Sequence, residues 1–226
     1  MNATPLPFVN LAPDGRSAAR VTKQLLVLAC ALPRVHDEGS KRSRELAQKF
    51  CDDVHQAATA AAIDVQRLAD LSTDLLGSKE WSGWHVSFCI AEHRVGSIKA
   101  FNCGVTSLFW SSHRRLHGPL LAPQTVGRRL RSEGVTDIPP QVAYIGATMA
   151  SADMISANIE VAELEETLAA PMVALADPRV ADMLPEVAFA DGLSVETLTK
   201  AIEALQNSLN NPERSFVLWW PAEPRA

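Results

Sequence analysis

Five arginines, Arg114, Arg115, Arg128, Arg129 and Arg131, fall within eighteen residues of a chain whose formal net charge is −5. Arginine carries a planar fork of donors that grips carboxylate or phosphate through two parallel bonds. The first two belong to Ser111-Ser112-His113-Arg114-Arg115, which reads as a hairpin tip. Such a tip is either a plain polar turn or a recognition loop. The other three follow on a short helix, where charges are often merely solvated. His113, Arg114, Arg115, Arg128, Arg129 and Arg131 are therefore the candidates for contacting an anionic partner.

Other reactive side chains are scattered. Cys30, Cys51, Cys89 and Cys103 form no CxxC pair, and no Cys/His spacing matches a zinc site. Reduced, buried thiols in the cytoplasm are the expectation. His85 and His93 share one strand but stand too far apart for a common metal. Asp177 precedes Pro178 and suits the cap of a short helix, and Asp37 and Glu38 suit a helix N-terminus. Glu213 sits in a loop, and Asp191-Gly192-Leu193 reads as a turn before a capped helix. The chain contains no Walker loop, nucleophile elbow or dinucleotide fingerprint. The acidic balance argues against a general nucleic-acid binder. The apolar runs are too short to span a bilayer, and no secretory signal is expected at the N-terminus.

The elements that must position these groups can be read from hydrophobic period. A single domain is expected across residues 1–226, with 1–20 as an extended lead-in. Leu25–Leu32 is a continuous apolar run of strand length. Leu46, Phe50 and Val54 recur every four residues in a helix expected from about Glu38 to Ala62. A second helix runs from Asp64 to Leu76 and stops at Gly77. His85–Glu92, Ser97–Cys103 and Ser107–Trp110 read as an antiparallel meander. Pro123 opens a short helix that ends at Gly134, and Val142–Thr148 and Met154–Val161 read as strands. Met172–Ala176 is a short buried strand and Pro178–Leu184 a short helix. Ser194 caps a helix whose apolar face is Val195, Leu198, Ile202, Leu205 and Leu209, and Ser215–Trp220 is a last buried strand. These periods predict a layered α/β (α+β) sandwich, with two mainly antiparallel sheets packed together and helices 38–62 and 194–209 outside them.

In this order the segments resemble the PP2C-type family of metal-dependent protein phosphatases. Leu25–Ala31 resembles the family strand that ends in Asp-Gly before a long helix. Ala100–Trp110 is similar to the "NxGDSRAYL" strand pair: Asn102 and Gly104 match, and Val105 replaces the Asp. Leu116 to Gly134 is similar to the stretch that begins "LTxDH", and Tyr144-Ile145-Gly146 falls at "xxLG". Met172–Asp177 resembles the "LLLxSDG" strand, with Pro178 in place of Gly. Asn210–Phe216 stands where the family has "DNxT" before its last strand.

The resemblance implies a cluster of two divalent ions held by carboxylates, which activate a water against phosphorus. Magnesium or manganese needs several oxygen ligands at once. Cys30-Ala31 falls at the bridging Asp-Gly, and Asn10-Leu11-Ala12 at an Asn-Glu-Asp motif, so neither supplies an acid. Asp177 matches the third position and Glu213 is the substitute at the fourth. Asp37 or Glu38 would have to be displaced into the site to complete it. Two functional expectations follow. The first is an inactive pseudophosphatase with no cofactor, which binds another protein such as a phosphoprotein or an enzyme. The second is a divergent magnesium- or manganese-dependent phosphatase using Asp177, Glu213, Asp37 and Glu38.

Overall fold

The computed structural model describes residues 7–13, 15–33, 40–112, 115–154, 156–165, 171–186, 194–210 and 212–221. The lead-in supplies two strands, β1 (Phe8–Asn10) and β2 (Ser17–Val21), followed by β3 (Leu25–Pro33). Helices α1 (Ser40–Ala60) and α2 (Val65–Gly77) come next, then β4 (Trp84–Arg94), β5 (Ser97–Cys103), β6 (Ser107–Ser112) and β7 (Arg115–Leu121). Helices α3 (Val126–Ser132) and α4 (Pro140–Ala143) precede β8 (Glu160–Glu165) and β9 (Met172–Leu175). The chain closes with α5 (Pro178–Met183), α6 (Val195–Ser208) and β10 (Phe216–Trp219).

The strands form two five-stranded antiparallel sheets, ordered β1-β10-β9-β6-β7 and β2-β3-β4-β5-β8. Alternation along β3 explains its unbroken apolar run. Leu25, Val27, Ala29 and Ala31 pack in the cluster with Leu46, Phe50 and Val54 of α1. Leu26 and Leu28 point the other way, into the space between the sheets, where they meet Met172, Ala174, Val217 and Trp219. A strand covered on both faces has no use for polar residues. The outer face of the second sheet carries Phe88, stacked on Phe50 at 5.0 Å between centroids. Complete burial of one such ring contributes about 3 kcal/mol. On the opposite side Leu198 and Ile202 of α6 cover Val173, Leu175, Phe216 and Leu218. Trp219 is fully buried and its Nε1–H donates to the Thr22 carbonyl at 2.8 Å, tying the two sheets together. Among the described residues no helix is long and apolar enough to cross a membrane.

Several local expectations are corrected. The meander of β4, β5 and β6 is broken: β5 pairs with β4, but β6 joins the other sheet between β9 and β7. The switch occurs at Gly104, whose φ of +98° is open to glycine and strained for other residues. A Cβ there would also stand 2.5 Å from Ser87 Oγ and 3.0 Å from Ser87 Cα. Val142–Thr148 is not a strand. It holds the end of α4 and turns, with one isolated bridge from Gly146 to Thr125. Over Met154–Val161 the backbone makes a 3₁₀ turn at Ser156–Asn158, and the strand begins at Glu160. The helix foreseen from Pro123 starts at Val126, because the Thr125 hydroxyl caps it by accepting from the Arg128 N–H at 3.2 Å.

Candidate functional site

Both sheets end on one cleft. β2 and β3 bring Ser17 opposite Cys30, and β9 runs out beside β6 and β10 through the pairings Leu175 with Ser107 and with Phe216. The cleft has a volume of about 620 Å³, and its walls include Arg16, Cys30, Val105, Asp177, Arg179 and Glu213. Thus Cys30, Val105, Asp177 and Glu213, far apart in the chain, are brought together where the resemblance implied a metal cluster. Ala12 also lines the cleft. Asp37 and Glu38 lie outside the described residues.

Asp177 is the most constrained of these groups. It is only 3% exposed and caps α5, its Oδ1 accepting the Arg179 backbone N–H at 2.9 Å. The Arg179 guanidinium folds back on the same carboxylate, with Nε 3.0 Å from Oδ1 and Nη2 2.7 Å from Oδ2. The Glu213 N–H completes the set by donating to Oδ2 at 3.0 Å. Four donors match the acceptor capacity of an ionised carboxylate. The contact with Asp177 in turn raises the Arg179 pKa, chiefly through their hydrogen bonds, so the guanidinium stays charged. Arg179 Nη1 also donates to the Asn210 carbonyl at 2.9 Å, which anchors the side chain across the loop before β10.

Glu213 is committed in a similar way. Its Oε1 accepts from Ser17 Oγ at 3.1 Å and Ser215 Oγ at 2.8 Å, and its Oε2 from the Arg16 backbone N–H at 3.2 Å. Gly15 permits this approach, since a Cβ there would lie 2.5 Å from Oε1. Cys30 adds no charge to the floor. Burial, helped by the Glu213 carboxylate, pushes its thiol up to about 12, so it stays protonated at neutral pH.

Two magnesium or manganese ions would need several carboxylate oxygens free to coordinate them. Here one carboxylate is saturated by a guanidinium and two backbone donors, the other accepts three donors, and the bridging position is a protonated thiol. Among the described residues no three His, Cys, Asp or Glu side chains converge as a metal-binding group. These residues do not fit a two-metal cluster.

Among the described residues, the Arg115 backbone and the arginines of α3 lie at two ends of the molecule. β7 runs from Arg115, paired with Ser112, to Leu121, paired with Leu108 near the cleft. At about 3.3 Å per residue its seven residues separate the Arg115 backbone from the cleft end by roughly 20 Å. His113, Arg114 and the side chain of Arg115 lie outside the described residues. Arg128, Arg129 and Arg131 are exposed on α3 at the cleft end. Arg129 pairs with Glu133 at 3.1 Å, and Arg131 reaches Asp182 of α5 at 3.7 Å. Asp182 also bonds the Tyr144 hydroxyl, and burial together with this carboxylate raises the tyrosine pKa. α3 can lie close to α4 because Gly127 faces the Ala143 backbone, where a Cβ would sit 2.5 Å from the carbonyl oxygen. A side groove of about 340 Å³ runs from Pro140, Tyr144 and Ile145 to Asp177 and Arg179.

Sequence reasoning missed Arg179. Its signal is the run Asp177-Pro178-Arg179: proline opens a helix directly after an Asp cap, and an arginine in that first turn can reach back to the cap.

No family model matches the sequence, and no curated protein sequence matches it. Comparison with solved structures finds close shape agreement at low identity. A bacterial serine phosphatase superposes with a TM-score of 0.64 at 13% identity, covering 98% of each chain. The serine/threonine phosphatase Stp1 from Staphylococcus aureus gives 0.64 at 11%, covering 95% of this chain and 93% of its own. The catalytic domain of the phosphatase PstP, in complex with two manganese ions, gives 0.64 at 11%, covering 94% and 95%. The order of strands, the two-sheet sandwich and these superpositions agree, and the chain has the fold of the bacterial PP2C-type serine/threonine phosphatases.

Proposed function

We propose that this protein is a pseudophosphatase, a PP2C-type scaffold that acts by binding another protein as a regulatory or accessory subunit. The observation that carries this reading is the Arg179 guanidinium seated on Asp177. The one carboxylate that matches the family pattern is neutralised by a cation belonging to the chain itself. Cys30 and Val105, in the same cleft where the resemblance implies Asp residues, support the reading. What remains is a cleft with the exposed arginines of α3 nearby, a surface suited to a phosphoprotein or an acidic enzyme. The four buried free thiols support a reducing, cytoplasmic setting.

The test is turnover of an aryl phosphate by the purified chain with manganese or magnesium. The expected result is a rate no higher than that of buffer with metal. Metal-dependent turnover that disappears in Asp177→Asn would overturn the reading and direct attention to Asp37 and Glu38 as the missing acids.

A further inference from the structure

The cleft has exchanged its expected polarity. Inside the protein Asp177 accepts four donors and Glu213 three, so the carboxylates offer little to a ligand. Its guanidinium groups are not all engaged. Arg16 and Arg214 line the same cavity as Arg179. Neither Arg16 nor Arg214 makes a side-chain hydrogen bond or ion pair with a described residue. Arg16 is held by its backbone, which donates to Glu213, and its charge reaches Cys30 on the floor. Counting the described lining residues, three arginines face two carboxylates, a balance of +1 in a protein of net charge −5. On α3, by contrast, Arg129 and Arg131 are already paired.

We propose that this cleft is a metal-independent oxyanion site, with Arg16 and Arg214 as its anchors, that takes a carboxylate or phosphate group carried on a segment of a partner protein. The inference rests on the pseudophosphatase reading, because a metal pair in the cleft would compete for the same space. A planar guanidinium fork meets two oxygens of such a group at once, and excluding water from a partly enclosed cleft strengthens each bond. The volume admits the anionic head with the residues next to it. Arg179 fixes the floor, but its charge is spent on Asp177, so the positive balance of the cleft rests on Arg16 and Arg214.

The experiment is calorimetric titration of the full chain in EDTA with four probes: a phosphoserine peptide, the same peptide with glutamate, the same peptide with serine, and inorganic phosphate. The phosphoserine or glutamate peptide is expected to bind and the serine peptide not, and the ratio of the two affinities identifies the anion. Arg16→Ala and Arg214→Ala should each weaken binding about tenfold, with Arg16→Lys recovering part of the loss. Melting curves should show every variant folded. Binding of inorganic phosphate alone would overturn the assignment to a partner segment. Silence with every probe, or unchanged affinity in the Arg16→Ala/Arg214→Ala variant, would overturn the oxyanion site and leave the pseudophosphatase reading intact. Binding that appears only after manganese is added would overturn both.

Discussion

Replacing Arg179 with alanine isolates the interaction on which the functional reading depends. Asp177 is 3% exposed and Arg179 28%, so the pair is protected without being fully dry. Removing one partner of a fully buried pair costs about 3–5 kcal/mol. In Arg179→Ala the carboxylate would keep the backbone donors of residues 179 and 213, and solvent would enter where the guanidinium had been. Those two effects bring the expected loss down to about 2 kcal/mol. For a chain of this size that corresponds to a fall in melting temperature of about 4–8 °C. Urea denaturation should show a lower midpoint with an unchanged slope. Arg179→Lys should recover less than half of the loss, because an ammonium cannot bridge both Asp177 oxygens in the plane. The assay is paired thermal and urea unfolding of the wild type and the two variants. A loss below about 0.5 kcal/mol, the level of a surface substitution, would refute the argument that Arg179 is an internal counter-ion.

Gly104→Ala should destabilise by at least about 2 kcal/mol in urea unfolding, because the positive φ and the Ser87 backbone both oppose a Cβ. A neutral result would mean that the corner between the sheets is not fixed there. Alkaline pH should also weaken the fold. Burial holds Cys30, Cys89 and Cys103 up to about 12, against an ordinary value of 9.0. Between those values the unfolded chain has lost thiol protons that the folded chain keeps, so stability falls as pH rises through the window. The urea midpoint should therefore decline above pH 9, and the native thiols should resist alkylation at pH 8. Rapid labelling of the folded protein at pH 8 would contradict their burial.

The sandwich was legible wherever burial imposed a strict period. The run at β3 and the four-residue recurrence in α1 each bury faces that tolerate little else, and Asp177-Pro178 marked the corner between β9 and α5. Legibility failed at the edges. β8 is an edge strand carrying Glu160, Glu163 and Glu165, so its polar content masked its alternation. β7, at the other sheet's edge, contains Pro119, which pairs opposite Phe109 beside a bulge and is tolerated only at such a site. The sheet switch at Gly104 depends on a polar corner in which Thr106 and Asn102 bond each other at 2.9 Å and Gln124 accepts from Gly104 at 2.8 Å. Gln124, and Ser87 whose hydroxyl accepts from the Thr106 N–H at 3.0 Å, lie about twenty residues away, and no local pattern announces them. At the site, Cys30 and Val105 were legible as missing acids. The guanidinium that neutralises Asp177 was not, since an arginine in a first helical turn ordinarily faces water.

The central claim, a PP2C-type fold whose metal chemistry has been displaced by its own side chains, is tested most directly by titrating the full chain with manganese and recording heat and melting temperature together. No saturable binding is predicted, and the same melting temperature is expected in EDTA and in millimolar manganese. Saturable binding with a rise in melting temperature, both lost in Asp177→Asn, would contradict the account.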